Sequence, residues 1–101
     1  MGFARVSSRK DLESGKMKGV KVGDKDILIA DLDGNYYAIG NRCTHAGCKL
    51  SEGTLGGENV RCPCHMSVFN VKTGNIVDGP AREPATIFQV KIEGDQMLVN
   101  V

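Results

Sequence analysis

Four cysteines and two histidines, the chain's whole complement of both, lie within the 23 positions from Cys43 to His65 of a 101-residue sequence. Thiolates and imidazoles gathered this closely point to metal or redox chemistry. The order is Cys43-Thr44-His45-Ala46-Gly47-Cys48, then a linking stretch, then Cys62-Pro63-Cys64-His65. Cys43 and His45 bracket one residue and Cys62 and His65 bracket two, so each limb is a compact claw with one thiolate and one imidazole. A plant-type iron-sulfur run needs C-x4-C-x2-C; Cys43 and Cys48 supply the first spacing, but position 51 is Ser51. Zinc also accepts two Cys and two His, yet its usual fingers place the histidines together, whereas each claw here mixes the two kinds.

Cys43-Thr44-His45 and Cys62-Pro63-Cys64-His65 resemble the two cluster-binding boxes of the Rieske 2Fe-2S proteins. The resemblance extends to Leu50-Ser51-Glu52-Gly53, Phe69-Asn70 with Thr73-Gly74, and Gly79-Pro80-Ala81, spanning roughly residues 36 to 93. The first thirty-five residues add only a compatible β pattern. The resemblance implies one asymmetric 2Fe-2S cluster, with Cys43 and Cys62 holding one iron and His45 and His65 the other. Neutral imidazoles in place of two thiolates raise the potential toward about −150 to +300 mV. Their outer nitrogens remain available as an electron exit and a proton site.

In Rieske proteins of cytochrome bc-type complexes, a pair like Cys48 and Cys64 forms a disulfide between the two loops; ferredoxins serving ring-hydroxylating oxygenases generally lack it. Closing a loop of this size is worth roughly 3 kcal/mol by chain entropy, less where a cluster already closes nearly the same loop. The pair can stand oxidised or reduced, and a cytosolic disulfide is more usual in hyperthermophiles. Ser67 occupies the position whose hydroxyl, in high-potential relatives, donates to a bridging sulfide; its plainer role is a loop serine bonded to backbone. Phe69 stands where those relatives often place a tyrosine that donates to a ligand cysteine, and here needs only to pack. Gly79-Pro80 resembles the proline loop that shields the cluster. With one donor kept and one lost, the expected potential lies below that of quinol-linked members and above that of relatives lacking both Ser67 and the disulfide.

The elements that must carry these limbs read as short strands with turn signals every 8 to 12 residues or so, an all-β pattern. Met17–Val22, Asp26–Asp31 and Asn35–Ile39 have strand character, with Asp33-Gly34 as the strongest hairpin signal. Ser67–Val71 precedes the turn Thr73-Gly74-Asn75, and Ile87–Ile92 is expected to pair with Met97–Val101 across Glu93-Gly94-Asp95. One helical turn is expected within Ser8–Ser14, capped by Ser8 with Asp11 and Glu13 near its positive end. The stretch from Gly40 to Pro84, richer in Gly, Cys and Pro, reads as a looped insert on a β base. The expected organisation is a Rieske-type fold of stacked antiparallel sheets: one domain over 1–101, with a cluster-binding subdomain over 40–84.

With 41% apolar and 25% charged residues the chain suits one small domain, and 5% aromatics with no Trp leave a thin core that favours a staple or cofactor. Thirteen basic against twelve acidic residues give a net charge of +1, which argues against a nucleic-acid partner. The halves carry +3 and −2, and Arg9, Lys10, Lys16, Lys18, Lys21 and Lys25 fit a solvated face better than a docking patch. No apolar run suits a signal peptide or a membrane span, and Val6 spoils a myristoylation pattern, so a cytoplasmic protein is expected.

The resemblance implies a soluble one-electron carrier, not itself an enzyme, between an NAD(P)H-dependent reductase and an acceptor oxygenase or other oxidoreductase. The expected state is a monomer making transient contacts around His45 and His65. A Rieske oxygenase would need two further histidines and a carboxylate for a mononuclear iron, and both histidines here are already committed. The remaining alternatives are a small Rieske subunit of a nitrite-reductase-like complex, which often lacks the ligands, and a zinc module.

Overall fold

Residues 27 to 31 of the segment Lys25–Leu32 are all buried. Successive side chains of a strand point to opposite faces, so such a run needs cover on both sides. The computed structural model, which describes residues 2–42, 48–64, 66–79 and 81–101, supplies that cover. Strand β3 (Lys25–Leu32) lies inside a four-stranded sheet of order β2 (Met17–Val22), β3, β4 (Asn35–Gly40), β9 (Ile87–Phe88). Leu28 and Ala30, with Ile39 of β4, enter one apolar cluster with Leu50, Val60, Cys62, Phe69 and Val71. Ile27 and Ile29, with Ala38, enter a second with Leu12, Met97 and Val99.

This middle sheet therefore separates two others. On the side of Ile27 lies a three-stranded sheet of order β1 (Phe3–Ser8), β11 (Gln96–Asn100), β10 (Val90–Glu93). On the side of Leu28 lies the sheet β5 (Thr54–Gly56), β6 (Asn59–Arg61), β7 (Val68–Asn70), β8 (Ile76–Asp78). The ladders are antiparallel throughout, and the stacked all-β architecture is as expected. Each large apolar side chain buried between the layers contributes about 1.5–3 kcal/mol.

The β3–β4 hairpin forms at Asp33-Gly34, both with positive φ (56° and 87°), as a two-residue turn of this type requires. Asp31 accepts the Gly34 N–H at 2.8 Å and fixes the turn from inside. Elsewhere the structure departs from the sequence reading. Strand β1 has no clear alternation because a bulge between Arg5 and Ser7 shifts its register against β11. The expected helical turn is a 3-10 turn at Arg9–Asp11, but the Ser8 side chain does not cap it. The Arg9 N–H is taken by the Asp95 carbonyl at 2.7 Å, so the neighbouring hairpin turn satisfies a donor that a cap would otherwise meet.

The single strand expected over Ile87–Ile92 is broken at Gln89. Its first part pairs with β4 and its second with β11, so one segment stitches the middle sheet to the outer one. The insert is more regular than a loop: a 3-10 turn at Leu50–Glu52 leads into the sheet β5–β8, whose strands have three residues each. Among the described residues, no helix is long and apolar enough to cross a membrane.

Candidate metal centre

Leu50 and Cys62, at the described ends of the two limbs, belong to the apolar cluster shared by the middle sheet and the small sheet β5–β8, and Cys48 packs against it. The first limb leaves β4 and returns at the Leu50–Glu52 turn; Arg42 and Lys49 form an isolated antiparallel bridge across its mouth. Behind that bridge, the Asn41 carbonyl accepts the Leu50 N–H at 2.7 Å. The Asn41 side chain accepts the Ser51 N–H at 2.8 Å and donates to Ser51 Oγ at 2.9 Å. Cys43 and His45 lie outside the described residues, as do His65 and Pro80.

The second limb leaves β6 and enters β7. Cys62, at its root, is fully buried, belongs to no disulfide, and donates its N–H to the Ser67 carbonyl at 2.7 Å. That bond closes the limb over the intervening residues. Ser67 is also fully buried, and its Oγ accepts the Ala81 N–H at 3.2 Å, which leaves the hydroxyl hydrogen to donate. Phe69 is fully buried in the same apolar cluster as Cys62, Val60 and Leu50 and anchors β7 beneath the limb.

Gly79 packs on this limb so closely that a Cβ there would stand 2.5 Å from Ser67 Cα, and its φ of +94° also favours glycine. Gly79 and Ala81 thus both meet Ser67, the first by close packing and the second through its N–H. Met66, next to His65, takes a left-handed φ of 62° and is 53% exposed, an uncommon conformation for a side chain of this size.

A disulfide joins the limbs between Cys48 and Cys64, whose Cα atoms are 6.4 Å apart. With that pair bonded, the cysteines left for metal are one per claw. No group of three or more metal-ligating side chains assembles among the described residues. The fit to a 2Fe-2S cluster rests on the described parts of the limbs: a buried thiol outside any disulfide, a buried hydroxyl with its hydrogen to spare, and a glycine held where a side chain would intrude. These suit a sulfur-rich, water-shielded group, because hydrogen bonds to sulfur and exclusion of solvent tune such a centre.

Asn41 is not singled out by the sequence reading, and Ser51 enters it only as part of the segment Leu50-Ser51-Glu52-Gly53. The signal was present, since an Asn two positions before a ligand claw has backbone ends to tie, but its burial to 3% exposure emerges only from the fold.

The model of the Rieske [2Fe-2S] domain matches residues 2–95. The chain belongs to the Rieske [2Fe-2S] family. This Rieske domain includes the first thirty-five residues, beyond the span in which the motifs were legible. It is 37% identical over 101 residues to the ferredoxin component of biphenyl 2,3-dioxygenase from Rhodococcus jostii (strain RHA1), covering 100% of this chain and 94% of that one. It superposes on the ferredoxin of carbazole 1,9a-dioxygenase from Nocardioides aromaticivorans IC177 with a TM-score of 0.92 at 28% identity, covering 98% and 97% of the two chains. A match of 40% identity to apoptosis-inducing factor 3 from Homo sapiens covers 96% of this chain but 16% of that protein. The Rieske domain here thus spans a small part of some curated relatives and nearly all of others. Its cofactor is one Rieske 2Fe-2S cluster.

Proposed function

We propose that this chain is a one-electron carrier that takes electrons from an NAD(P)H-dependent reductase and delivers them to an acceptor enzyme, with a ring-hydroxylating oxygenase as the favoured acceptor. The observation that carries this reading is the near full-length likeness to the ferredoxin component of a dioxygenase system. Cys43 and Cys62 are the proposed thiolate ligands and His45 and His65 the proposed imidazole ligands. Bound there, the cluster would supply a single reversible electron. The buried Cys62 thiol supports its place in this set, and the Cys48–Cys64 disulfide supports it further by occupying the other two cysteines.

In this account the chain's own residues hold and tune. Ser67, its oxygen fixed by the Ala81 N–H, would have its hydroxyl hydrogen free to donate to a sulfur of the bound cluster. Phe69 offers no donor and keeps water out by packing. Residues 40–84 act as the cluster-binding subdomain of one domain over 1–101, a division supported by the sheet β5–β8 having its own face on the apolar cluster. The protein works as a soluble cytoplasmic monomer in transient complexes, a reading whose soluble part the ferredoxin relatives support.

The test is rapid mixing. Protein reduced by a flavin-containing NADH-dependent ferredoxin reductase is mixed with an oxidised dioxygenase component, and the visible spectrum is followed. Stoichiometric one-electron reduction followed by saturable reoxidation is expected. A protein that the reductase reduces and no oxygenase reoxidises would move the acceptor to another class.

A further inference from the structure

We infer that Asn41 is the positioning residue of the first ligand limb, acting through Ser51 and seated on Gly19 of the middle sheet; the inference builds on the cluster-carrier reading above. Asn41 is 3% exposed, and a polar side chain so buried must find partners. Its side chain grips Ser51 twice, at 2.8 and 2.9 Å, and its carbonyl takes the Leu50 N–H at 2.7 Å. Its own N–H goes to the Asp26 carbonyl at 3.0 Å, across to β3. One residue therefore ties the outgoing chain, the returning chain and the middle sheet together.

The fit beneath this clamp is tight. A Cβ on Gly19 of β2 would stand 2.6 Å from Ser51 Oγ and 2.8 Å from Asn41 Nδ2, so the atoms that forbid a side chain there belong to the clamp itself. Cys48 directly precedes Lys49 of the mouth bridge, and its disulfide reaches Cys64 on the other limb. Any rotation of the clamped end moves Cys48 relative to Cys64 and so shifts the described ends of the two limbs against each other. The clamp thus sets the separation of the limbs from the protein side, together with the ion pair of Arg42 with Asp26 at 3.0 Å.

The test compares purified holoprotein variants by two readouts: the rate at which dithiothreitol reduces Cys48–Cys64, followed by alkylation and mass, and the midpoint potential with the reduced-state electron spin resonance g-values. Rates are taken at equal distance below each variant's melting temperature. Asn41→Ala should speed disulfide reduction by about tenfold, as expected when a half-buried N–H loses its partner, and should shift the g-values and potential. Asn41→Asp keeps an acceptor for the Ser51 N–H and should restore most of the wild-type behaviour. Gly19→Ala should resemble Asn41→Ala, and Ser51→Ala should move both readouts in the same direction but less.

If Asn41→Ala only melts earlier, with reduction rate, potential and g-values unchanged, the residue is merely structural and the inference is wrong. If Asn41→Ala does not fold, Gly19→Ala and Ser51→Ala decide, and unchanged readouts in both overturn the clamp. A wild-type protein without a 2Fe-2S signal would sink the carrier reading instead, and the disulfide rates would still decide the clamp.

Discussion

The two limbs are rooted in different ways. The second grows out of the apolar core: Cys62 and Ser67 are fully buried at its two ends, a backbone bond closes it, and Phe69 fills the space beneath. The first is held at the end of β4, an interior strand of the middle sheet, by a polar clamp of Asn41 on Ser51, with the bridge between Arg42 and Lys49 beside it. Apolar packing spreads its hold over many contacts, whereas the clamp rests on a few hydrogen bonds that a single substitution removes. The second limb is thus the fixed one, the hold on the first is the one a single substitution can undo, and the disulfide links the two.

The sharpest break of this contrast is at the fixed limb. Cys62→Ala should abolish the visible absorption of the cluster altogether while the far-ultraviolet dichroism keeps its β character; a protein that retained a 2Fe-2S spectrum would remove Cys62 from the ligand set. Phe69→Ala should cost about 3–5 kcal/mol in denaturant unfolding, because it empties a fully buried ring site under the same limb. Replacing Cys48 and Cys64 together by Ser should cost about 2–4 kcal/mol in cluster-free protein and distinctly less with the cluster bound, since the two links close nearly the same loop. Equal losses in both forms would mean that the limbs are not jointly closed.

Smaller effects sharpen the comparison. Ser67→Ala should lower the potential modestly with the spectrum intact, as one donor to sulfur is lost; an unchanged potential would leave Ser67 with only its bond from Ala81. At the far end of the insert, the Asn70 side chain and then Lys72 hold the Glu58 carboxyl below its ordinary value. A lowered carboxyl contributes stability that is present above its unfolded value and is lost as pH falls through the lowered one. Glu58→Gln should therefore lower the melting temperature slightly near pH 7, leave it unchanged in acid so that the acid limb flattens, and not alter the potential.

Chemistry was the most legible part of the sequence, because ligand claws are local: Cys43 with His45 and Cys62 with His65 can be read within a few residues. The Asp33-Gly34 hairpin was legible for the same reason. What could not be read depends on neighbours distant in sequence. The Gln89 break matters only because β4 and β11 lie in different sheets, and the bulge in β1 hides a strand whose partner is at the other end of the chain. Ser8 is a plausible cap until the Asp95 carbonyl takes the Arg9 N–H. Asn41 looks like an ordinary polar residue before a loop until the fold buries it against Ser51 and Gly19. The three-residue strands of the insert are too short to show a period and form because Val60 and Phe69 are drawn onto the middle sheet.

The central claim is a histidine-ligated 2Fe-2S cluster held between the two limbs and passing one electron at a time. Protein-film voltammetry of anaerobically purified protein between pH 5 and 10, with an absorption spectrum of the same sample, tests it most directly. The account predicts a coloured protein with a one-electron wave whose potential falls as pH rises, at a height below that of quinol-linked Rieske proteins. A colourless, redox-silent protein that holds stoichiometric zinc after metal-replete expression would contradict it.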